Sequence, residues 1–140
     1  MDRKIFIYNM IAVALALLYF GAILALGLGK ITPVSPWHGL YSLAAVPIIE
    51  EYIFRVFIQG SICKKYNSLT FANTVTSVIF SLCHMFFYPP LTAVGVFFPS
   101  MILGYVYGKT ASYFSVIFIH AVFNMNIFIS YQSDILGKFF

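Results

Sequence analysis

The chain has 140 residues, of which 61% are apolar and only 9% charged, and its mean hydropathy is +0.93. A soluble domain carries about a quarter charged residues, so this composition excludes a water-exposed globule and describes a single membrane bundle. The formal charge of +4 is not a nucleic-acid signal, because the basic residues cluster at the ends of apolar runs, as topology determinants do.

Five apolar runs are long enough to span, since about 20 helical residues cross a hydrocarbon core. They cover residues 5–28, 38–62, 69–88, 91–108 and 112–130. The first follows Asp2-Arg3-Lys4 and exceeds the roughly 7–15 residues of a signal-peptide core, so it reads as a retained span. Turn and boundary residues separate the runs: Gly29 to Trp37, Lys64 to Ser68, Pro89-Pro90, and Lys109 to Ala111. The runs are continuous rather than alternating, which argues against strands. Cys63 and Cys83 have no metal spacing and read as free thiols. The expected fold is an all-α membrane bundle of about five transmembrane helices. An N-terminal helix and loop occupy 1–37, the core 38–130 and a tail 131–140.

The second run holds three charges within six residues, Glu50, Glu51 and Arg55. Each costs about 2.5–3.5 kcal/mol near a helix centre, so the cluster requires a compensating reason. Glu51 and Arg55 are four apart, acid first, and form an ion pair on one helix face. Glu50 is rotated from that face by about 100° and keeps a carboxyl without a partner. In the third run Thr70, Thr74, Ser77, Ser81 and His84 form one polar stripe facing the bundle interior. The hydroxyls read as packing, whereas a bilayer-embedded imidazole needs hydrogen-bond partners. The fourth run has no charge; Gly104 and Gly108 favour close packing, and Pro99 favours a bend. In the fifth run His120 and Asn124 are four apart on one face. Trp37 and His38 read as interfacial anchors. Convergence of three spans on one site best explains so many polar groups at bilayer depth.

Peptide hydrolysis needs an activated water, a donor to the oxyanion and an acid for the leaving amine. Glu50 can act as base toward a water shared with His84, while His120 and Asn124 donate to the oxyanion. That set is complete without a metal. Other intramembrane hydrolases fit poorly. H-E-x-x-H and G-x-S-x-G are absent, and Asp2 and Asp134 sit at the termini rather than in a paired membrane site.

In order along the chain, Glu50-Glu51-Tyr52-Ile53-Phe54-Arg55 fits E-E-x-x-x-R, Phe80 to His84 fits F-x-x-x-H, and His120 to Asn124 fits H-x-x-x-N. These three signatures, each on a predicted span, resemble those of the CPBP family. That family comprises type II CAAX prenyl endopeptidases and bacteriocin-processing or abortive-infection relatives. The resemblance covers about Tyr41 to Asn126 and implies a glutamate-dependent intramembrane endopeptidase with a four-helix catalytic core. By it, Glu50 and His84 activate water, His120 and Asn124 serve the oxyanion, and Glu51 and Arg55 support the site. It implies a membrane-associated peptide or protein substrate, no cofactor, and a prokaryotic-style processing role in the cell membrane. The chain departs from larger members in lacking their extra helices.

Three other readings use the same residues. Glu50, His84 and His120 can supply the three ligands of an open zinc site, although Asn124 is a poor zinc ligand. A non-catalytic immunity or scaffold protein of the same fold is the second. A small transporter is the third, and it lacks any visible inverted repeat.

The basic residues set an orientation. With the N-terminus cytoplasmic, Arg3, Lys4, Lys64, Lys65 and Lys109 fall inside and only Lys30 and Lys138 outside. In a cysteine-free background, single cysteines at Asn67 and Pro90 are therefore expected to be labelled from opposite sides of the membrane. Labelling of both from one side would reject this topology.

Overall fold

The structure, a computed structural model, describes residues 3–27 and 29–131. The expected tail, with Asp134 and Lys138, lies outside the described residues beyond Tyr131. Helix α1 (Arg3–Ala25) leads into a short strand β1 (Gly29–Ile31). Residues 36–66 then form one helical run, α2. It is α-helical at Pro36–Leu40, Val46–Glu51 and Gly60–Tyr66, and π-helical at Tyr41–Ala45 and Tyr52–Gln59. The junction residues Tyr41, Val46, Tyr52 and Gly60 all keep right-handed helical dihedrals, so the run changes pitch without breaking. Helices α3 (Leu69–His84), α4 (Pro90–Gly95), α5 (Phe97–Thr110) and α6 (Tyr113–Asn124) follow. A 3-10 turn (Met125–Phe128) then leads to β2 (Ile129–Tyr131).

Local chemistry explains the boundaries. Ser35 caps the start of α2, where Pro36 occupies the first helical position and needs no N–H partner. The two tightest connections share a design. Asn67 and Ala111 each close a helix in the left-handed region at φ 49°, and the next serine, Ser68 or Ser112, caps the following helix. Pro99 cannot donate to a carbonyl in the preceding turn, and α4 and α5 meet at Val96 rather than forming one regular helix.

Two sequence expectations change. The fifth run leaves the helix at Asn124, and its end pairs antiparallel with β1, Gly29 opposite Tyr131 and Ile31 opposite Ile129. A three-residue strand is too short to show alternation, which is why the pairing was not expected. The polar stripe of α3 also turns away at its start. Thr70 is exposed, and the buried polar line is Asn73, Thr76, Ser77 and Ser81.

Among the described residues α1 is the one helix that is both long and apolar enough to cross a membrane by itself; α3 and α6 are shorter apolar helices. Helix α1 packs on α6 and α5, where Ala12 joins Val116 and Ile119 of α6 and Leu103 and Val106 of α5 in the core. Asn9 accepts a hydrogen bond from Ser115 Oγ at 2.6 Å. Helix α5 lies against α3 along Ser100, Gly104 and Gly108. A Cβ on Gly104 would overlap Asn73 Oδ1 and come within 2.7 Å of Gln59 Oε1, and one on Gly108 would strike Leu69. Both carbon-free faces are thus filled by neighbouring side chains. Gly104→Ala is expected to destabilise the protein by about 1–3 kcal/mol through overpacking, read as a lower melting temperature in detergent. Gly21→Ala, with open space around it, should leave the melting temperature unchanged or raise it.

Candidate active site

The site grows from the α-helical turn Val46–Glu51 and the π-helical segment that follows it. Glu51 and Arg55 lie one turn apart and are both fully buried. Arg55 Nε donates to Glu51 Oε2 at 2.9 Å. A guanidinium only donates, and its other nitrogens find two further acceptors. Its Nη2 donates to Ser100 Oγ at 2.8 Å, and Nη1 points to Gln59 Oε1 at 3.5 Å. Gln59 in turn donates to the Gly104 carbonyl at 2.8 Å. The cation also sits 5.8 Å from the centroid of the Phe80 ring. A charge pair removed from water survives only with hydrogen-bond partners, and these contacts give each guanidinium nitrogen an acceptor.

From Glu51 the network reaches the last helix. His120 on α6 places Nδ1 2.7 Å from Glu51 Oε1 and Nε2 3.6 Å from Glu50 Oε2. A carboxylate paired with arginine is an acceptor, so Nδ1 carries a proton and Nε2 faces Glu50. The neighbouring glutamates differ in access: the Glu51 side chain is fully buried, whereas that of Glu50 is 26% exposed. Glu50 also lies in electrostatic reach of His84, Glu51 and Arg55.

His84 closes the last turn of α3. Its Nδ1 lies 2.9 Å from the Phe80 carbonyl, which can only accept. The proton therefore sits on Nδ1 and the lone pair on Nε2. Phe80 lies 4.3 Å away on one side of the ring, and Tyr88 stacks on it at 5.7 Å with planes 16° apart. Phe80 also meets His120 edge-on at 6.3 Å and Phe54 at 4.8 Å, so one aromatic ring borders both histidines. Asn124, one turn beyond His120, donates Nδ2 to the Ser42 carbonyl at 2.9 Å. Helix α6 is anchored to α2 again by the Tyr113 hydroxyl, which donates to the Ile48 carbonyl.

The structure thus brings Glu50, Glu51, Arg55 and His120 into one contiguous cluster, with His84 in electrostatic reach of Glu50. It turns one Asn124 donor toward Ser42 rather than toward Glu50. His38 is exposed at the start of α2, apart from the cluster. Sequence reasoning missed three contributors to the cluster: Gln59, Ser100 and Asn73. A signal existed for each. Gln59 continues the Glu51, Arg55 spacing of four, Ser100 precedes Gly104 by four, and Asn73 precedes Ser77 by four.

Residues 32–126 match the family model described as type II CAAX prenyl endopeptidase, Rce1-like. Helix α1 and β1 precede the matched region. Neither a curated protein nor a solved structure gives a significant match.

Because Arg55 and Glu51 are both inaccessible to solvent, removing one charge strands the other. Glu51→Gln is expected to destabilise the fold by about 3–5 kcal/mol, seen as a large fall in melting temperature or in folded yield. Normal stability of this variant would contradict the ion-pair assignment.

Proposed function

The chain belongs to the Rce1-like type II CAAX prenyl endopeptidase family, and from that premise we propose that it is a multi-pass intramembrane endopeptidase of glutamic type. Its substrate is a membrane-associated peptide or protein. The observation that carries this reading is the 3.6 Å approach of His120 to Glu50, a partly accessible carboxylate beside a fully buried one. Hydrolysis needs a base open to water, and the burial difference supports Glu50 in that role, with Glu51 as scaffold.

In the proposed reaction, a water between Glu50 and His84 gives its proton to Glu50 as its oxygen attacks the scissile carbonyl carbon. The Nε2 lone pair of His84 accepts the water's second hydrogen bond and orients it. The carbonyl π pair moves to oxygen, and the resulting oxyanion accepts hydrogen bonds from His120 and Asn124. An asparagine amide has two N–H donors, so the bond to Ser42 leaves a second for this purpose. In its doubly protonated form His120 donates Nδ1–H to Glu51 and Nε2–H to the oxyanion. Collapse breaks the C–N bond, and Glu50 returns its proton to the leaving amine.

No step needs a metal. Glu50→Gln is expected to abolish cleavage, by at least about a thousandfold, with little change in melting temperature. The test is co-expression with candidate membrane peptides and mass spectrometry of the products, wild type against Glu50→Gln. Purified activity should persist in chelator. Loss in chelator with recovery on adding zinc would instead assign a zinc site to Glu50, His84 and His120. Equal product patterns from wild type and Glu50→Gln would favour a non-catalytic membrane protein of the same fold.

A further inference from the structure

Helix α5 carries no charged residue before Lys109, and no step of the proposed reaction uses it. Its most buried polar group is nonetheless committed to the site. Ser100 is fully buried, and its Oγ accepts from Arg55 Nη2 at 2.8 Å. The direction of that bond fixes those that follow. Because the guanidinium supplies the proton, the Ser100 hydroxyl directs its own hydrogen to Ser77 Oγ, 3.0 Å away. Ser77 then donates to Asn73 Oδ1 at 3.4 Å, which turns the Asn73 amide nitrogen to the Met101 carbonyl at 2.9 Å. The chain of donors leaves α5 at Ser100, crosses α3, and returns to α5 one residue later. Each proton position is set by the one before it, so the Ser100 oxygen is held with a lone pair toward Arg55.

The geometry points to Ser100 as a positioning residue of the active site, acting through Arg55 and Glu51 on the orientation of His120. The inference rests on the peptidase reading for its kinetic consequence, but not for its structural one. Three links connect Ser100 to the imidazole: 2.8 Å to Arg55, 2.9 Å from Arg55 to Glu51 and 2.7 Å from Glu51 to His120. Glu51 uses a different oxygen for each partner, Oε2 for Arg55 and Oε1 for His120. A rotation of the guanidinium therefore turns the carboxylate plane and with it the Nδ1 acceptor. The long contact from Arg55 to Gln59, at 3.5 Å, is too weak to hold the fork alone. Ser100 is the short second anchor. The absence of a Cβ at Gly104 lets α5 approach closely enough to supply it.

The test compares Ser100→Ala, Ser100→Cys and Ser100→Thr with Ser81→Ala in the full chain. Ser81 is also buried on α3, but its hydroxyl donates to the Ala93 carbonyl at 2.6 Å, away from Arg55. The first readout is the imidazole 15N signals of His120 in nanodiscs, assigned by single replacement of the three histidines. The second is kcat and KM on the peptide that wild type cleaves in co-expression. Ser100→Ala is expected to shift the His120 signals and to lower kcat by about ten- to a hundredfold with KM within about twofold. Ser100→Thr, which keeps the hydroxyl, should recover both, and Ser81→Ala should move neither. Unshifted His120 signals in Ser100→Ala, or a kcat loss no larger than that of Ser81→Ala, would overturn the inference. So would failure of both Ser100→Ala and Ser100→Cys to accumulate as folded protein, since the hydroxyl would then serve folding. Should wild type cleave nothing, the proposed function fails, and the 15N signals alone decide the role of Ser100.

Discussion

A guanidinium buried among apolar helices is the constraint on which the rest of this structure depends. Arg55 has no exposed surface, and the desolvation of such a cation amounts to several kcal/mol unless its donors are matched. Its fork reaches three acceptors on two elements: Glu51 and Gln59 on its own helix, and Ser100 on α5. A lysine would present a point charge and could not hold acceptors in these fixed directions. Much of the interior follows from this requirement. Helix α5 must come close enough to place Ser100, hence the small residues along it. Helix α3 must supply Ser77 and Asn73 to take up the hydroxyl proton. Among the described residues, Thr76 Oγ1 is the one buried side-chain polar atom without a partner. Every nitrogen of Arg55 has an acceptor.

The second constraint is angular. Consecutive residues on an α-helix diverge by about 100°, so Glu50 and Glu51 should not share a partner. His120 meets both because an imidazole has two nitrogens pointing in different directions. One ring inserted between the side chains turns Nδ1 to Glu51 and Nε2 to Glu50. The π-helical stretch beginning at Tyr52 assists by widening the helix just after the glutamate pair. Such segments commonly mark functional sites. Here it begins one residue after Glu51 and contains both Arg55 and Gln59.

How much of this could be read in advance depends on the kind of interaction. The helical runs were legible because apolar stretches punctuated by lysines, prolines and serines have few other solutions, although the fourth divides into α4 and α5. Glu51 and Arg55 were legible because a spacing of four is local geometry. The pairing of β1 with β2 was not, because three residues carry no period. Nor was the shared histidine, since the expectation that Glu50 faces elsewhere considered the helix alone and not the shape of what approaches it. The inward stripe on α3 was displaced for a related reason. Within its buried line Asn73 meets Gly104 and Ser77 meets Ser100 on α5, whereas Thr70 is exposed. Tertiary partners decide which of several polar residues on a helix is enclosed, and a single sequence does not name them.

In the proposed function, the difference in access between two adjacent carboxylates is what turns a structural cluster into a chemical one. If both glutamates were buried, each would need a permanent cation or donor, and the site would be a rigid ion-pair network. If both were open, neither could fix the imidazole. Glu51 is fully buried, with one oxygen bonded to Arg55 and the other to His120, so it is held in place from both sides. Glu50, 26% exposed, meets His120 only at 3.6 Å, longer than a committed hydrogen bond. Its oxygens keep capacity for a water or a substrate group. Phe80 borders both His84 and His120, and Phe54 packs edge-on against it. Under the proposed function, the E-E-x-x-x-R run of this chain carries two roles in neighbouring residues. The second glutamate belongs to the arginine four residues later, and that attachment leaves the first available for chemistry.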